Sequence, residues 1–131
     1  MITILVVDDD PSIRFLLRQI LENERYSILE AGNGQAALDV IGSGANPDIV
    51  MTDLMMPVMG GAELIVRLRA GANTSMIPIV VVSSNPEAVR DLAVDAIVTK
   101  PFGAADLAAR VRTIVSHADL RQASPERLET T

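Results

Sequence analysis

Residues 4–14 read ILVVDDDPSIR. The run that leads into them, Ile2–Val7, is apolar apart from Thr3, which predicts a strand buried on both faces, as in a parallel sheet. Three aspartates, Asp8, Asp9 and Asp10, stand where that strand ends. Beyond them Ser12–Asn23 carries Ile13, Leu16, Leu17, Ile20 and Leu21 at the spacing of an amphipathic helix. Asp10 before Pro11-Ser12 fits a helix cap, because its carboxylate can accept from the free amides of the first turn. Capping does not account for Asp8 and Asp9.

The same alternation recurs along the chain. Tyr26–Ala31 reads as a second strand, and Asn33 caps a helix to about Ile41, with Ala37, Val40 and Ile41 inward. Residues 42–47 form a loop, Asp48–Thr52 a third strand, and Gly61–Ala70 a helix. After a loop at Gly71–Met76, Pro78–Val82 is a fourth strand, Pro86–Val94 a short helix, Ala96–Thr99 a fifth strand and Ala104–Ser116 the last helix. Strict strand–helix alternation with short connections predicts an α/β fold, a doubly wound parallel sheet with helices on both faces. Function in such sheets lies beyond the C-terminal ends of the strands. No internal repeat is visible, and Asp119–Thr131 is polar, as a tail or linker would be.

Composition narrows the chemistry. The chain has 131 residues, enough for one domain with its own core. It has no cysteine and one histidine, His117, which excludes disulfide frameworks, thiolate zinc sites and cysteine nucleophiles. Aromatic residues are 2% against 49% hydrophobic, so the core is aliphatic. A net charge of -6 argues against direct nucleic-acid binding. The start, MITILVV, lacks the basic lead and the length of a secretory signal, and no run approaches the ~18 apolar residues of a membrane span. A cytoplasmic protein with no membrane contact is therefore expected.

The strand ends gather chemistry. The first ends in Asp8, Asp9 and Asp10, the third in Asp53, the fourth in Ser83 and Ser84, and the fifth in Thr99, Lys100 and Pro101. Carboxylates brought together repel unless a cation offsets them. Oxygen ligands of this kind suit a hard divalent ion such as Mg2+. A lysine and a hydroxyl beside that ion suit a phosphoryl group. Without histidine or cysteine in reach, the candidate covalent nucleophile is a carboxylate, which forms an aspartyl phosphate.

With ILVVDDDPSIR at 4–14, PDIVMTDLMMPVMGG at 47–61, VVVSS at 80–84 and VTKPF at 98–102, the sequence resembles the receiver domain of two-component response regulators, including the single-domain chemotaxis type. The resemblance covers residues 2–117, with 44 residues from Asp9 to Asp53, 30 from Asp53 to Ser83 and 17 from Ser83 to Lys100. It implies a (βα)5 fold of flavodoxin-like strand order 2-1-3-4-5, with residues 1–117 as the receiver and 118–131 as a polar tail or linker. Asp53 would be the phosphoacceptor. Asp9, Asp53 and the Met55 carbonyl would ligate Mg2+ directly, and Asp8 through a water. Lys100 would pair with the phosphoryl oxygens, Ser83 would supply the switch hydroxyl with Ser84 beside it, and the Lys100-Pro101 bond would be cis. The phosphoryl donor would be a histidine kinase or phosphotransfer protein, with a downstream protein target. The domain would catalyse its own phosphotransfer and dephosphorylation without being an enzyme in the usual sense.

Departures from the family pattern are specific. Ile97 occupies the switch position usually held by an aromatic residue. The stretch from Ser83 to Lys100 is shorter than usual, so the fourth helix should be short or irregular. Gly60 stands where an Asp is common, and Met55 puts an apolar side chain beside the acceptor. Arg90 and Arg110 are candidate rim contacts for a partner. Two alternatives compete: a degenerate receiver that binds protein without phosphorylation, and a Mg2+-dependent aspartyl-phosphate phosphatase. The first usually lacks the Asp or the Lys, and the second usually has an acid where Met55 stands. Gly32-Asn-Gly34-Gln-Ala-Ala37 weakly matches a dinucleotide loop, but it follows the second strand and reads better as a tight turn with close helix packing.

Overall fold

Alternate residues of the first strand face opposite sides of one sheet, and each side builds its own core. The structure, a computed structural model, describes residues 1–89 and 91–122, without the side chains of Pro86 and 118–122. The elements run β1 (Thr3–Val7), α1 (Pro11–Asn23), β2 (Ser27–Ala31), α2 (Gly34–Gly42), β3 (Ile49–Thr52), α3 (Gly61–Ala70), β4 (Ile79–Ser83), a 3-10 turn (Pro86–Val89), β5 (Ala96–Thr99) and α4 (Ala104–Gln122). All pairings are parallel, in the order β2-β1-β3-β4-β5. Ile4 and Val6 pack with Leu17 and Leu21 of α1 and Leu107 and Val111 of α4. Leu5 and Val7 pack on the other side with Ala37 of α2 and Leu64, Ile65 and Leu68 of α3. The doubly wound parallel sheet is thus as its apolar strands require.

Local sequence sets the helix starts. The Asp10 carboxylate accepts from the Ser12 amide at 2.9 Å, and Pro11 fills the first helical position. Asn33 accepts from the Ala36 amide at 2.8 Å. Gly34 is required by a close approach: a Cβ there would lie 2.8 Å from Met59 Cγ and 2.9 Å from its carbonyl oxygen. The glycine motif therefore serves packing of α2 on the β3–α3 loop. Asp48 lies just before β3, and its carboxylate accepts from the Thr3 amide at 2.8 Å, closing the start of β1.

Several elements begin one residue away from expectation, and three differences bear on the site. The fourth helix is only the 3-10 turn Pro86–Val89, not a helix to Val94. The twelve residues 84–95 must also supply both connections to the sheet, and loops of about 2–6 residues each leave too few for stable α-helical turns. Arg69 takes over the anchoring. Its guanidinium donates to the carbonyls of Ala93, Ser75 and Ile77 at 2.9, 2.9 and 2.6 Å, and to the Asp95 carboxylate at 3.0 Å. Ser83 lies inside β4, because the ladder with β5 extends to the pair Ser83–Thr99. Helix α4 continues past Ser116 to Gln122, since residues 117–122 include neither Gly nor Pro and the next proline is Pro125. Residues 123–131 and Arg90 lie outside the described residues.

Glu30 of β2 accepts from Arg14 and Arg18 of α1 and joins strand to helix. The Arg18 hydrogen bond, with help from Arg14, holds its carboxyl below the ordinary glutamate range, against the effect of burial. A lowered folded pKa means that this stabilisation is present above the unfolded pKa and is lost as pH falls through the folded one. Glu30 is about one-third exposed, so screening limits the pairs to about 1 kcal/mol. Glu30→Gln is expected to lower the thermal midpoint by about 2–4 °C near neutral pH. The gap should close as pH drops below the carboxylate range; a gap of equal size at low pH would show that the charge is not its source.

Candidate functional site

The chain order reverses between β1 and β3, and the crevice beyond their C-terminal ends collects the acidic residues. Backbone bonds set the frame. The Asp53 amide donates to the Val7 carbonyl at 3.0 Å, Asp8 to Ala31 at 3.1 Å, and Lys100 to Ser83 at 2.9 Å. The ends of all five strands are thereby tied to one another, directly or through the ladder.

Asp8 is 1% exposed and yet charged in character, so its oxygens must be partnered. One accepts from the Asp10 amide at 2.9 Å and the other from Lys100 Nζ at 3.0 Å. Asp53 follows the same pattern: one oxygen accepts from the Leu54 amide at 2.7 Å, the other from Lys100 Nζ at 3.2 Å. Asp9 is exposed, and its carboxylate accepts no hydrogen bond among the described residues. One oxygen each of Asp8, Asp9 and Asp53 can be chosen within 4.8 Å of one another. Burial pushes the Asp8 carboxyl above its ordinary value, and the charge of Asp53 adds to the rise, while the Asp10 amide and Lys100 act against it. Burial also works against the Lys100 ammonium, but Asp8 and Asp53 outweigh it and hold its pKa above the ordinary lysine value. Two carboxylates bonded to one ammonium, with a third beside them, leave an excess of negative charge. A compact set of hard oxygen donors of that charge fits a small divalent cation such as Mg2+.

A family model described as a response regulator receiver domain matches residues 4–112. The chain belongs to this family. Similar proteins include the transcriptional regulatory protein ResD of Bacillus subtilis, 37% identical over 117 residues, covering 88% of this chain and 48% of ResD. The sensor histidine kinase TmoS of Ectopseudomonas mendocina is 37% identical over 86% of this chain but only 12% of its own length. The chain thus spans half or less of these relatives. Among solved structures, the receiver domain of a signal transduction histidine kinase from Syntrophus aciditrophicus superposes with a TM-score of 0.83 at 30% identity, covering 89% of this chain and 92% of that one. The response regulator TrrA of Thermotoga maritima, solved in complex with Mg(2+)-BeF, gives 0.78 at 35% identity, over 86% of this chain and 98% of that one. This receiver is a phosphoacceptor domain of two-component signalling.

The other residues singled out from the receiver's sequence fall around this crevice in different ways. Ser83 is buried at the end of β4, and its hydroxyl oxygen accepts from the Asn85 amide at 3.0 Å. Ser84 is exposed, Ile97 is partly buried against the α3-side core, and Met55 turns an exposed side chain to solvent. The Lys100-Pro101 peptide bond is cis. Arg110 is exposed on α4. Sequence reading passed over Arg14, whose Nη1 donates to the Asp8 carbonyl at 2.6 Å. Its signal is an arginine one helical turn beyond the capping Asp10, with a Glu at an exposed position of the next strand.

The loop after Asp53 is drawn tight. Gly61 donates to the Leu54 carbonyl at 2.9 Å, and a Cβ on Gly61 would fall 2.0 Å from the Asp53 carbonyl oxygen. A Cβ on Gly60 would lie 2.8 Å from the Leu54 carbonyl oxygen, so the loop follows a path here that favours glycine. Val58 pays for this path with a positive φ of 69°, a strained conformation for a β-branched residue. Its side chain is exposed and has little packing to lose. Val58→Asn, which tolerates that region, should therefore stabilise the domain by about 1 kcal/mol. The readout is a higher urea midpoint at unchanged slope; a lower midpoint would show that the strain is absent.

Proposed function

We propose that this receiver takes a phosphoryl group from a phosphohistidine onto Asp53 in the presence of Mg2+ and thereby changes the face that a partner reads. The observation that carries the reading is Lys100 Nζ bonded to both Asp8 and Asp53 in one crevice, at 3.0 and 3.2 Å. Asp9, Asp53 and the Met55 carbonyl are assigned as Mg2+ ligands, with Asp8 acting through a water. Bound Mg2+ would supply positive charge against the phosphoryl oxygens as the transfer proceeds. An Asp53 carboxylate oxygen attacks phosphorus, and the bond to the donor imidazole nitrogen breaks with its electron pair returning to that nitrogen. Lys100 then exchanges its bond to Asp53 for a phosphoryl oxygen. The Ser83 hydroxyl, whose oxygen already accepts from Asn85, has its proton free to donate to the same group.

The Lys100 amide is bonded to the Ser83 carbonyl, so movement at either strand end reaches the other. Ile97 has neither ring nor hydroxyl to swing between environments. The response is therefore assigned to Ser83, Ser84 and the following 3-10 turn. The donor is a histidine kinase or phosphotransfer protein, and the target is a protein, without direct nucleic-acid contact. No helix among the described residues is long and apolar enough to cross a membrane, and a cytoplasmic setting fits this donor chemistry. Residues 1–117 are assigned as the receiver body and 118–131 as tail or linker, the first part continuing α4 to Gln122. A phosphatase reading is disfavoured because Met55 offers no acid, and a degenerate receiver because both Asp53 and Lys100 are present and in contact.

Incubation with acetyl phosphate and Mg2+ should add the mass of one phosphoryl group to the intact chain, and Asp53→Asn should abolish it. Full labelling of that variant elsewhere would sink the assignment. Mg2+ should raise the melting temperature by mass action. Asp9→Ala should shrink that rise while leaving the metal-free midpoint equal or higher, because it removes both a ligand and a repelling charge. An undiminished Mg2+ effect in Asp9→Ala would contradict the ligand set.

A further inference from the structure

We infer that Arg14, held in place by Glu30, is a positioning residue that aims the Asp9 carboxylate by fixing the Asp8–Asp9 peptide. The inference rests on the reading of Asp8, Asp9 and Asp53 as a Mg2+ site. Asp8 and Asp53 each have their carboxylates held by an amide and by Lys100. Asp9 has no such hold among the described residues, so the reach of its carboxylate depends on where the backbone places its Cα.

That backbone is gripped from two sides. The Asp8 amide donates to Ala31 of β2 at 3.1 Å, and the Asp8 carbonyl accepts from Arg14 Nη1 at 2.6 Å. A peptide group is planar, so fixing the Asp8 carbonyl also fixes the Asp9 amide and the position of its Cα. Arg14 is itself fixed, because its Nε donates to Glu30 at 3.1 Å. Glu30 pairs in register with Val6, two residues before Asp8. It also offsets the guanidinium charge, which would otherwise be free to turn onto Asp9 and compete with a bound cation. Arg14 is only 21% exposed and lies between α1 and β2, so the contact is built into the fold.

Two effects of removing Arg14 have opposite signs. Relief of Coulomb repulsion alone predicts tighter Mg2+ binding, because the guanidinium bonded to the Asp8 carbonyl is a positive charge beside the site. Loss of positioning predicts weaker binding, as when an outer partner of a metal ligand is removed. The test is a MgCl2 titration of the full chain, followed by the amide signals of Asp8–Asp10, with the metal-free melting temperature measured alongside. Arg14→Ala is expected to weaken Mg2+ affinity about tenfold, Arg14→Lys to recover part of the loss, and Glu30→Gln to weaken it by a smaller factor. In the double variant Arg14→Ala/Asp9→Asn, affinity should be no weaker than in Asp9→Asn alone, since the two act through one ligand. Wild-type or tighter affinity in folded Arg14→Ala, with Asp9→Asn weakened, overturns the positioning role and leaves the metal site standing. Should Arg14→Ala not fold, wild-type affinity in both Arg14→Lys and Glu30→Gln overturns it equally. Unchanged affinity in Asp9→Asn overturns the metal site and this inference together.

Discussion

One ammonium group bridges two carboxylates that are 92 and 47 residues away from it in sequence. Lys100 Nζ between Asp8 and Asp53 is possible only because three strand ends meet at one edge of a parallel sheet. The arrangement is self-limiting. Asp8 is buried and its carboxyl is driven upward by that burial, while the ammonium is stabilised by the same two acids. With Asp9 beside them, carboxylates outnumber the ammonium in the crevice, and their oxygens lie close enough together to hold a metal ion.

The frame around that interaction is rigid on one side and lightly built on the other. Asp8 is held by β2, by the Asp10 amide and by Arg14, and Asp53 by β1 and by the Leu54 amide. The β3–α3 loop folds back so closely that glycine is needed at 60 and 61. Toward β5 the connection is a single 3-10 turn and a stretch anchored by Arg69. Asp95 bonds both Arg69 and the Ile79 amide, so the N-terminal side of β5 is fastened to α3 and β4. Lys100 sits at the other end of the same strand, where its amide is bonded to the Ser83 carbonyl. The proposed response at Ser83 and the 3-10 turn rests on this reduced fourth helix.

Much of this was legible in the residues. The apolar run before Asp8, the Asp10-Pro11 cap and the period of Ile13, Leu17 and Leu21 specify strand, turn and helix through local sterics and amide satisfaction, and these hold in the fold. The sheet order followed from the family resemblance and is found. Less was legible where the chain is short or its ends are open. The Pro86–Val94 segment has helical composition, but too few residues remain once both connections are made. Ser116 carries no stop signal in its neighbours, so α4 runs on to Gln122.

The sequence by itself determined which chemical groups would gather and at which strand ends, because the alternation of apolar runs and helical stripes leaves a parallel sheet as the way to bury them. Only the tertiary structure decided how the groups are held. Arg14 reaching the Asp8 carbonyl, Glu30 reaching Arg14, and Arg69 reaching Asp95 join residues 6 to 26 positions apart on different elements. No local propensity encodes such contacts. They depend on the separation and twist of packed strands and helices, which exist only once both cores have closed.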